Sequence, residues 1–222
     1  MDYFTRYGLE FNPFIKNSKE ILVDTTEYRE TLFRLDYLAK TKGFGILTGN
    51  AGRGKTTTVR SWAASLNPSL YKVVYSSLST LTPNDFYRNL VKELDNEPAF
   101  KKSDNFHIIQ EEITRLSIPN LNSTLRLQIH EPLRQRIVMN YSLEGLTKDE
   151  GKSYILEKLK GAGCNQTIFE DAAVEAILNA ADGTPRLINK YCNASMLIGD
   201  TNKVNLITTD IVMQALNDCE LG

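Results

Sequence analysis

The sequence predicts an α/β protein in two parts: a core built on a parallel sheet, residues 1–143, and a C-terminal helical lid, residues 144–222. Two observations lead to this prediction. An apolar run over 43–48 ends in glycine and leads through a glycine-rich turn into a helical stretch over 57–66, which is the strand–loop–helix order of an α/β unit. Beyond residue 144 the periodicity is helical, and cap residues mark the starts of the helices.

Periodicity and cap residues define the elements of the core. Apolar residues at i, i+3 and i+4 mark the helices, and short apolar runs mark the strands. The expected elements are, in order, a helix over 28–42 preceded by the cap residues Asp24 and Thr25, a strand buried on both faces over 43–48, a helix over 57–66, a strand over 72–76, a helix over 83–94 capped by Thr82, a helix over 106–116 and a last strand within 135–143.

The lid has two copies of the Thr-x-x-Glu capping box, at Thr147–Glu150 and Thr167–Glu170. In this pattern the threonine accepts a hydrogen bond from the third residue of the helix, and the glutamate accepts one from the cap. Proline at the first turn marks a further start. Helices are therefore expected over 147–160, over 167–181, from Pro185 onward and over 209–218.

Composition places the chain among soluble globular proteins, with 41% hydrophobic and 24% charged residues. The net charge is −1, from 26 basic and 27 acidic groups, so any contact with nucleic acid must come from a local patch. Cys164, Cys192 and Cys219 form no CxxC pattern, which favours reduced, mostly buried thiols over a disulfide or zinc site. We find no signal peptide and no run of ~20 apolar residues, so a cytoplasmic protein without a membrane segment is expected.

The glycine-rich turn carries the chemistry. Residues 49–56 match the phosphate-loop pattern G-x-x-x-x-G-K-[ST], in which backbone N–H groups surround a polyphosphate at a helix N-terminus. Lys55 is expected to reach the β and γ phosphates, and the Thr56 hydroxyl to hold Mg²⁺. The alternative is a glycine turn with a solvated lysine. The residues expected to contact ATP here are Gly49, Asn50, Ala51, Gly52, Arg53, Gly54, Lys55, Thr56 and Thr57.

Two further segments offer arginines to a nucleotide. Proline at the first turn of the third lid helix fixes the direction of Arg186, which could lean over a γ-phosphate. In the segment 133–137, Arg136, with Arg134 in reserve, could reach the nucleotide of a neighbouring subunit as an arginine finger. Each could equally be an ordinary solvated arginine.

The order of these segments resembles the ExeA/TniB group of AAA+ ATPases. The segments that carry the resemblance are Gly8–Phe14, the helix from Tyr28, GFGILTGNAGRGKT at 43–56, LRQRI at 133–137, the capped helix at Thr147 and GTPRLINKYCNASML at 183–197. The group includes transposon-encoded regulators related to TnsC and MuB, and secretion-linked ExeA proteins. The resemblance implies an AAA+ P-loop ATPase that uses ATP and Mg²⁺, with Arg186 as the second sensor and Arg136 as a finger in trans.

One part of the family pattern has no counterpart. The strand ending in the Walker B carboxylates and the strand of the first sensor should lie between Leu94 and Gln135, yet 108–112 there has helical spacing and predicts solvated glutamates. Without these strands, 72–76 cannot pair with the phosphate-loop strand. We therefore hypothesise that some tens of residues are missing between Ile118 and Pro119; an intact protein of this sequence would bind ATP and hydrolyse it poorly.

The resemblance implies a regulator that assembles with ATP on double-stranded DNA, as a homo-oligomeric ring or filament, and recruits or activates a transposase. Candidate DNA-contacting lysines are Lys72, Lys92, Lys101 and Lys102, among which the sequence does not choose. The alternatives are an ExeA-like ATPase module of secretion or envelope assembly, and a relative of replication initiators and helicase loaders.

Overall fold

Helices predominate in the computed structural model, which describes residues 3–16, 20–76, 81–117 and 137–220. The elements within these ranges are α1 Tyr3–Tyr7, α2 Thr26–Thr41, β1 Phe44–Gly49, α3 Lys55–Ser65, α4 Pro83–Glu93, α5 Lys102–Ser117, β2 Ile137–Leu143, α6 Lys148–Gly161, α7 Asp171–Ala181, α8 Pro185–Thr201 and α9 Thr209–Glu220. None of these helices is long and apolar enough to cross a membrane.

The contacts divide the chain into two compact units. The first unit contains residues 1–62 and 132–222, and therefore both strands and the helices α6 to α9. The second unit contains residues 63–131, with α4 packed against α5 around the buried residues Val91, Leu94 and Ile109.

The strands β1 and β2 pair in parallel, as the sequence predicts for a parallel sheet. Their register runs from Phe44 opposite Ile137 to Gly49 opposite Leu143. The loop that follows β1 and the chain that follows β2 therefore leave the sheet at the same edge. Within the described residues these two strands form the whole sheet.

Two strand predictions are wrong. The prediction that the strand over 43–48 is buried on both faces fails, because Phe44 is 50% and Ile46 41% exposed. The predicted strand over 72–76 has no strand structure. Both results have one physical reason: β1 has a single hydrogen-bonded neighbour in the described part of the chain, so no further ladder exists for 72–76 to join and no third strand helps to bury β1.

The helices of the lid surround the main hydrophobic core. Side chains that are completely or almost completely buried there come from α6 to α9 and the connecting loops: Ile155, Ile168, Ile177, Ile188, Met196, Ile207 and Val212. Cys164 and Cys192 are buried in the same core, as predicted. A core of this size fixes the lid helices relative to each other, including the start of α8.

The N-terminal segment packs on this core. Tyr7 is fully buried, and its hydroxyl donates to the carbonyl oxygen of Val204 at 3.3 Å. The ammonium group of Lys158, on α6, is buried and donates to the carbonyl oxygen of Pro13 at 2.9 Å. Burial lowers the pKa of Lys158, because the charged form is desolvated. The N-terminal segment thus braces α6 from outside the lid sequence.

Side-chain caps mark the starts of three of the described helices, α2, α4 and α6. The box at Thr147 is confirmed: its hydroxyl accepts from Glu150 N–H at 3.3 Å, and the Glu150 carboxylate accepts from Thr147 N–H at 3.1 Å. The box predicted at Thr167 is wrong, because α7 begins at Asp171 without a side-chain cap. The backbone before α7 pairs instead with Ile207, whose N–H donates to the Ile168 carbonyl at 2.7 Å.

Glu150 joins two helix starts. Besides Thr147, its carboxylate accepts from the N–H of Thr26 at 2.9 Å, at the first residue of α2. Burial alone would raise the pKa of Glu150, but the hydrogen bonds from Thr26 and Thr147 outweigh it and lower the pKa to about 2, from an ordinary 4.5.

The change Glu150→Gln tests this junction. A lowered pKa means that the carboxylate stabilises the fold above its ordinary pKa, and that this contribution is lost as pH falls through about 2. We expect the variant to lose about 1 kcal/mol of unfolding free energy at pH 7, the usual cost of a lost cap. The difference in unfolding free energy between wild type and variant should become smaller below pH 4.5. Denaturant unfolding at several pH values measures this. Glu157→Gln, exposed on the same helix, is the control, and an equal loss in both variants would contradict the prediction.

Candidate functional site

The phosphate loop lies between β1 and α3, in the order that the sequence predicts. Strand β1 ends at Gly49 and helix α3 begins at Lys55. Gly52 and Gly54 have φ values of +88° and +93°, a backbone conformation that residues with a side chain rarely adopt. The first N–H groups of α3 have no partner within the helix, so they and the positive end of the helix dipole face whatever the loop holds.

Lys55 closes the loop on itself. Its ammonium group donates to the carbonyl oxygens of Gly49 at 2.7 Å and Asn50 at 2.9 Å. These bonds hold the cation at the mouth of the loop, where an incoming phosphate oxygen can take their place. The neighbouring Thr56 and Thr57 are exposed at the start of α3.

This donor set fits a nucleotide triphosphate with its metal ion. The cation of Lys55 and the N–H groups at the start of α3 are hydrogen-bond donors for phosphate oxygens. The exposed hydroxyl of Thr56, next in the chain, is the kind of oxygen ligand that Mg²⁺ takes alongside water and phosphate.

The structure brings Arg186 to the phosphate loop. The N–H of Arg186, in the first turn of α8, donates to the carbonyl oxygen of Gly52 at 3.4 Å. A β-carbon at Gly52 would lie 2.8 Å from that of Arg186 and 3.0 Å from the methyl carbon of Thr184, so only glycine allows so close an approach. Arg186 itself is exposed. Its guanidinium can therefore turn toward a phosphate without leaving a buried pocket.

Arg53 also connects the loop to the lid. Its side chain is only 8% exposed, and one terminal nitrogen lies 3.6 Å from the carboxylate of Asp182. Its Nε is buried without a hydrogen-bond partner in the described residues. The sequence predicts for Arg53 only a place in the phosphate cradle. No local signal could reveal its burial, because that burial depends on residues more than 90 positions away.

Glu27 fixes the end of β2 against the start of α2. Its carboxylate accepts hydrogen bonds from the N–H groups of Glu144 and Gly145, the latter at 2.9 Å. No pattern in the sequence distinguishes Glu27 from an ordinary acidic residue in the first turn of a helix, where the helix dipole stabilises a negative charge.

Comparison with known proteins shows the fold. Residues 38–144 match a family described as an AAA domain. The chain superposes on the Aeropyrum pernix ORC2 protein with a TM-score of 0.59 and 13% identity, over 93% of this chain and 71% of that one. It superposes on the Thermotoga maritima RuvB Holliday junction branch migration motor with a TM-score of 0.57 and 20% identity, over 88% and 69%. Cdc6p from Pyrobaculum aerophilum gives 0.61 and 15%, over 88% and 67%.

The chain has the AAA+ P-loop NTPase fold. The predicted fold class is thereby confirmed. By sequence it is similar to General secretion pathway protein A from Aeromonas hydrophila, with 26% identity over 88% of this chain and 44% of that protein. The chain thus matches less than half the length of this relative.

The same comparison bears on the missing strands. The match extends over 243 positions, whereas 88% of the 222 residues here is about 195, so about 48 positions of the secretion protein have no counterpart in this chain. The comparison does not give the places of these positions along the chain, so the missing segment between Ile118 and Pro119 stays a prediction.

The remaining predicted site features are the arginines of 133–137, the junction at 118–119 and the glutamates of 108–112. Arg134, Arg136 and the junction of Ile118 with Pro119 lie outside the described residues. The stretch 108–112 is helical, as predicted, within α5. The prediction that both glutamates there are solvated is wrong for Glu112, whose side chain is 11% exposed and pairs with Arg115. No strand with acidic residues lies beside the second edge of β1 in the ranges that the structure describes.

Replacing Lys55 by Ala tests the site directly. The loss of its ammonium group should weaken binding of Mg-ATP at least a hundredfold, because no other side chain within the loop sequence projects a flexible cation over the phosphates. Fluorescence titration with a labelled ATP analogue measures this. Lys40→Ala, in the exposed last turn of α2, is the control. Unchanged affinity in Lys55→Ala would mean that the loop does not hold the phosphates.

Proposed function

We propose that this chain is an ATP-binding AAA+ module that assembles into homo-oligomers when Mg-ATP lies between its phosphate loop and its lid. The observation that carries the proposal is the hydrogen bond from Arg186 N–H to Gly52, which puts the lid in contact with the loop that receives the phosphates. Nucleotide bound there touches both parts, so its binding energy can set the lid in the position that a neighbouring subunit recognises.

Each residue has a separate part in this function. Lys55 exchanges its carbonyl partners for β- and γ-phosphate oxygens, and Thr56 supplies an oxygen to Mg²⁺. Arg186, as the second sensor, neutralises charge on the γ-phosphate from the lid side. Arg136, as a finger from the next subunit, completes the site only in the oligomer. The metal ion, when bound, screens the charge of the phosphates.

Turnover of ATP is slow in the proposed module. Hydrolysis needs a carboxylate that orients the attacking water, and the strand that should carry it has no counterpart among the strands described. We therefore expect a rate constant of about 10⁻³ s⁻¹ or less, the range of unassisted phosphate-loop proteins. The chain would act mainly through its ATP-bound assembly rather than through repeated cycles.

A prediction on assembly follows. Sedimentation should show larger species with a non-hydrolysable ATP analogue than with ADP or no nucleotide, and Lys55→Ala should remain small under all conditions. The residual turnover of Arg136→Ala should fall at least tenfold while nucleotide affinity stays within about threefold, since a finger acts on the rate. Mixing Arg136→Ala with Lys55→Ala subunits should restore turnover, because each supplies what the other lacks. Oligomers of equal size with and without nucleotide would contradict the proposal.

The role of the assembly has two candidates. The first, which we favour from the resemblance to transposon-encoded regulators, is assembly on double-stranded DNA and recruitment of a transposase. The second is an ATPase module of secretion, which the similarity to General secretion pathway protein A supports. The structures of Drosophila ORC bound to DNA and of RuvB are 15% and 20% identical to this chain. Similarity at this level indicates a shared fold and does not favour either role.

One loop of the second unit favours DNA. Phe100 is 90% exposed and is followed by the exposed Lys101 and Lys102. The loop is held by Asn105, whose buried amide accepts from Ala99 N–H at 2.8 Å and donates to the carbonyls of residues 99 and 101. A rigidly presented aromatic ring beside two cations suits a phosphate backbone and a base step. Among the other candidate lysines, Lys72 is paired with Asp95 at 2.6 Å.

The double change Lys101→Ala/Lys102→Ala tests the DNA role. We expect the ATP-bound assembly to lose at least tenfold in affinity for duplex DNA, and the slope of log affinity against log salt to fall by about 2, one per phosphate contact. The control with the same change in charge is Lys40→Ala/Lys160→Ala, at exposed ends of α2 and α6. If the wild-type assembly retains no DNA with or without ATP, the secretion-type module becomes the better account.

A further inference from the structure

Arg53 lies in a slot lined by two glycines of the lid. A β-carbon at position 145 would lie only 1.4 Å from one terminal nitrogen of the Arg53 guanidinium. A β-carbon at position 183 would lie 3.0 Å from the same nitrogen. Gly145 belongs to the connection between β2 and α6, and Gly183 to the turn before α8. The two segments are joined by a hydrogen bond of 2.8 Å from Leu146 N–H to the Gly183 carbonyl. Arg53 therefore contacts both the connection from β2 to α6 and the turn before α8.

The slot is built around this side chain at a cost to stability. Gly145 and Gly183 have φ values of +105° and +63°. The guanidinium is 8% exposed, its Nε has no partner in the described residues, and its charge partner Asp182 is 96% exposed at 3.6 Å. A buried cation so poorly paired is less favourable than an apolar side chain of the same volume. Stability alone does not explain an arginine at this position.

Consecutive residues of the loop contact the lid in different ways. Gly52 accepts a backbone hydrogen bond from the first turn of α8, whereas Arg53 inserts its side chain beside Asp182 and Gly183, just before that helix. Lys55, two residues further, holds the carbonyls of Gly49 and Asn50 and must release them when it turns to a phosphate. Gly52 and Arg53 lie between the carbonyls that Lys55 holds and Lys55 itself, so a change of the loop on phosphate binding would act on the two residues that contact the lid.

We infer that Arg53 is a positioning residue that transmits the state of the phosphate loop to the lid. Its side chain acts through the slot formed by Gly145 and Gly183 and through Asp182. Only its backbone N–H belongs to the predicted phosphate cradle, so replacing the side chain leaves that donor in place. The inference rests on the proposed binding of nucleotide at the loop. It adds the route by which that binding reaches the lid, and hence the assembly.

Hydrogen exchange of the full chain, with and without a non-hydrolysable ATP analogue and Mg²⁺, tests the inference. In the wild type, nucleotide should slow exchange about fivefold or more at the amides of 146–150, 184 and 186–188, which flank the slot. In Arg53→Met, with nucleotide saturating, this protection of the lid should be lost while protection of α3 remains. Arg53→Lys, which keeps the charge, should restore part of it. Arg29→Met, an exposed arginine of α2, should behave as the wild type.

If Arg53 had only a structural role, Arg53→Met would lower the thermal midpoint of unfolding. We expect instead a midpoint equal to or above that of the wild type, because the variant removes a poorly paired buried charge. Asp182 is exposed and has a left-handed backbone conformation, which asparagine also adopts, so Asp182→Asn should fold. This variant should lose part of the lid protection.

The outcomes separate this inference from the proposed function. Full lid protection in nucleotide-bound Arg53→Met, or, if that variant does not fold, in Asp182→Asn, overturns the inference and leaves nucleotide binding intact. Loss of nucleotide binding itself in Arg53→Met also overturns it, since Arg53 would then be a binding residue. A wild type that binds no nucleotide removes the proposed function, and the inference with it.

Discussion

The parallel register of β1 and β2 is the constraint on which the site depends. Because Gly49 lies opposite Leu143, the phosphate loop and the connection to the lid leave the sheet side by side. Gly145, two residues beyond β2, then meets Arg53 of the loop, and Glu27 holds that connection through two N–H groups. A slip of one residue would turn the side chains of β2 to the opposite face and separate these partners. The lid, fixed by its own core, therefore starts at a defined place beside the loop.

Among the described residues, β1 has a strand neighbour along one edge alone. Parallel strands are normally covered on both faces by helices and flanked by further strands, yet Phe44 and Ile46 remain exposed here. The loop that we propose for phosphate binding lies at the end of β1, and no strand in the described chain offers a carboxylate beside it to orient water. This observation supports our proposal that the ATP-bound assembly, more than repeated turnover, carries the function.

Local signals in the sequence were sufficient for much of this architecture. The glycine pattern over 49–56 predicts the loop, and Thr147 with Glu150 predicts the start of α6, because each depends only on neighbours within a few residues. The same reasoning fails at Thr167, where backbone pairing with Ile207 replaces the cap, and at 72–76, where an apolar run has no ladder to join. The slot of Arg53 is set by contacts between distant segments, which no periodicity reveals.

We propose that the loop binds the phosphates and touches the lid in the same state. A crystal structure with a non-hydrolysable ATP analogue and Mg²⁺ tests both halves at once. We expect the Lys55 ammonium group to leave Gly49 and Asn50 for phosphate oxygens at about 2.8 Å, Thr56 to contact the metal ion, and Gly52 and Arg53 to remain against the lid. Nucleotide bound elsewhere, or a loop with bound phosphates that has separated from the start of α8, would contradict it.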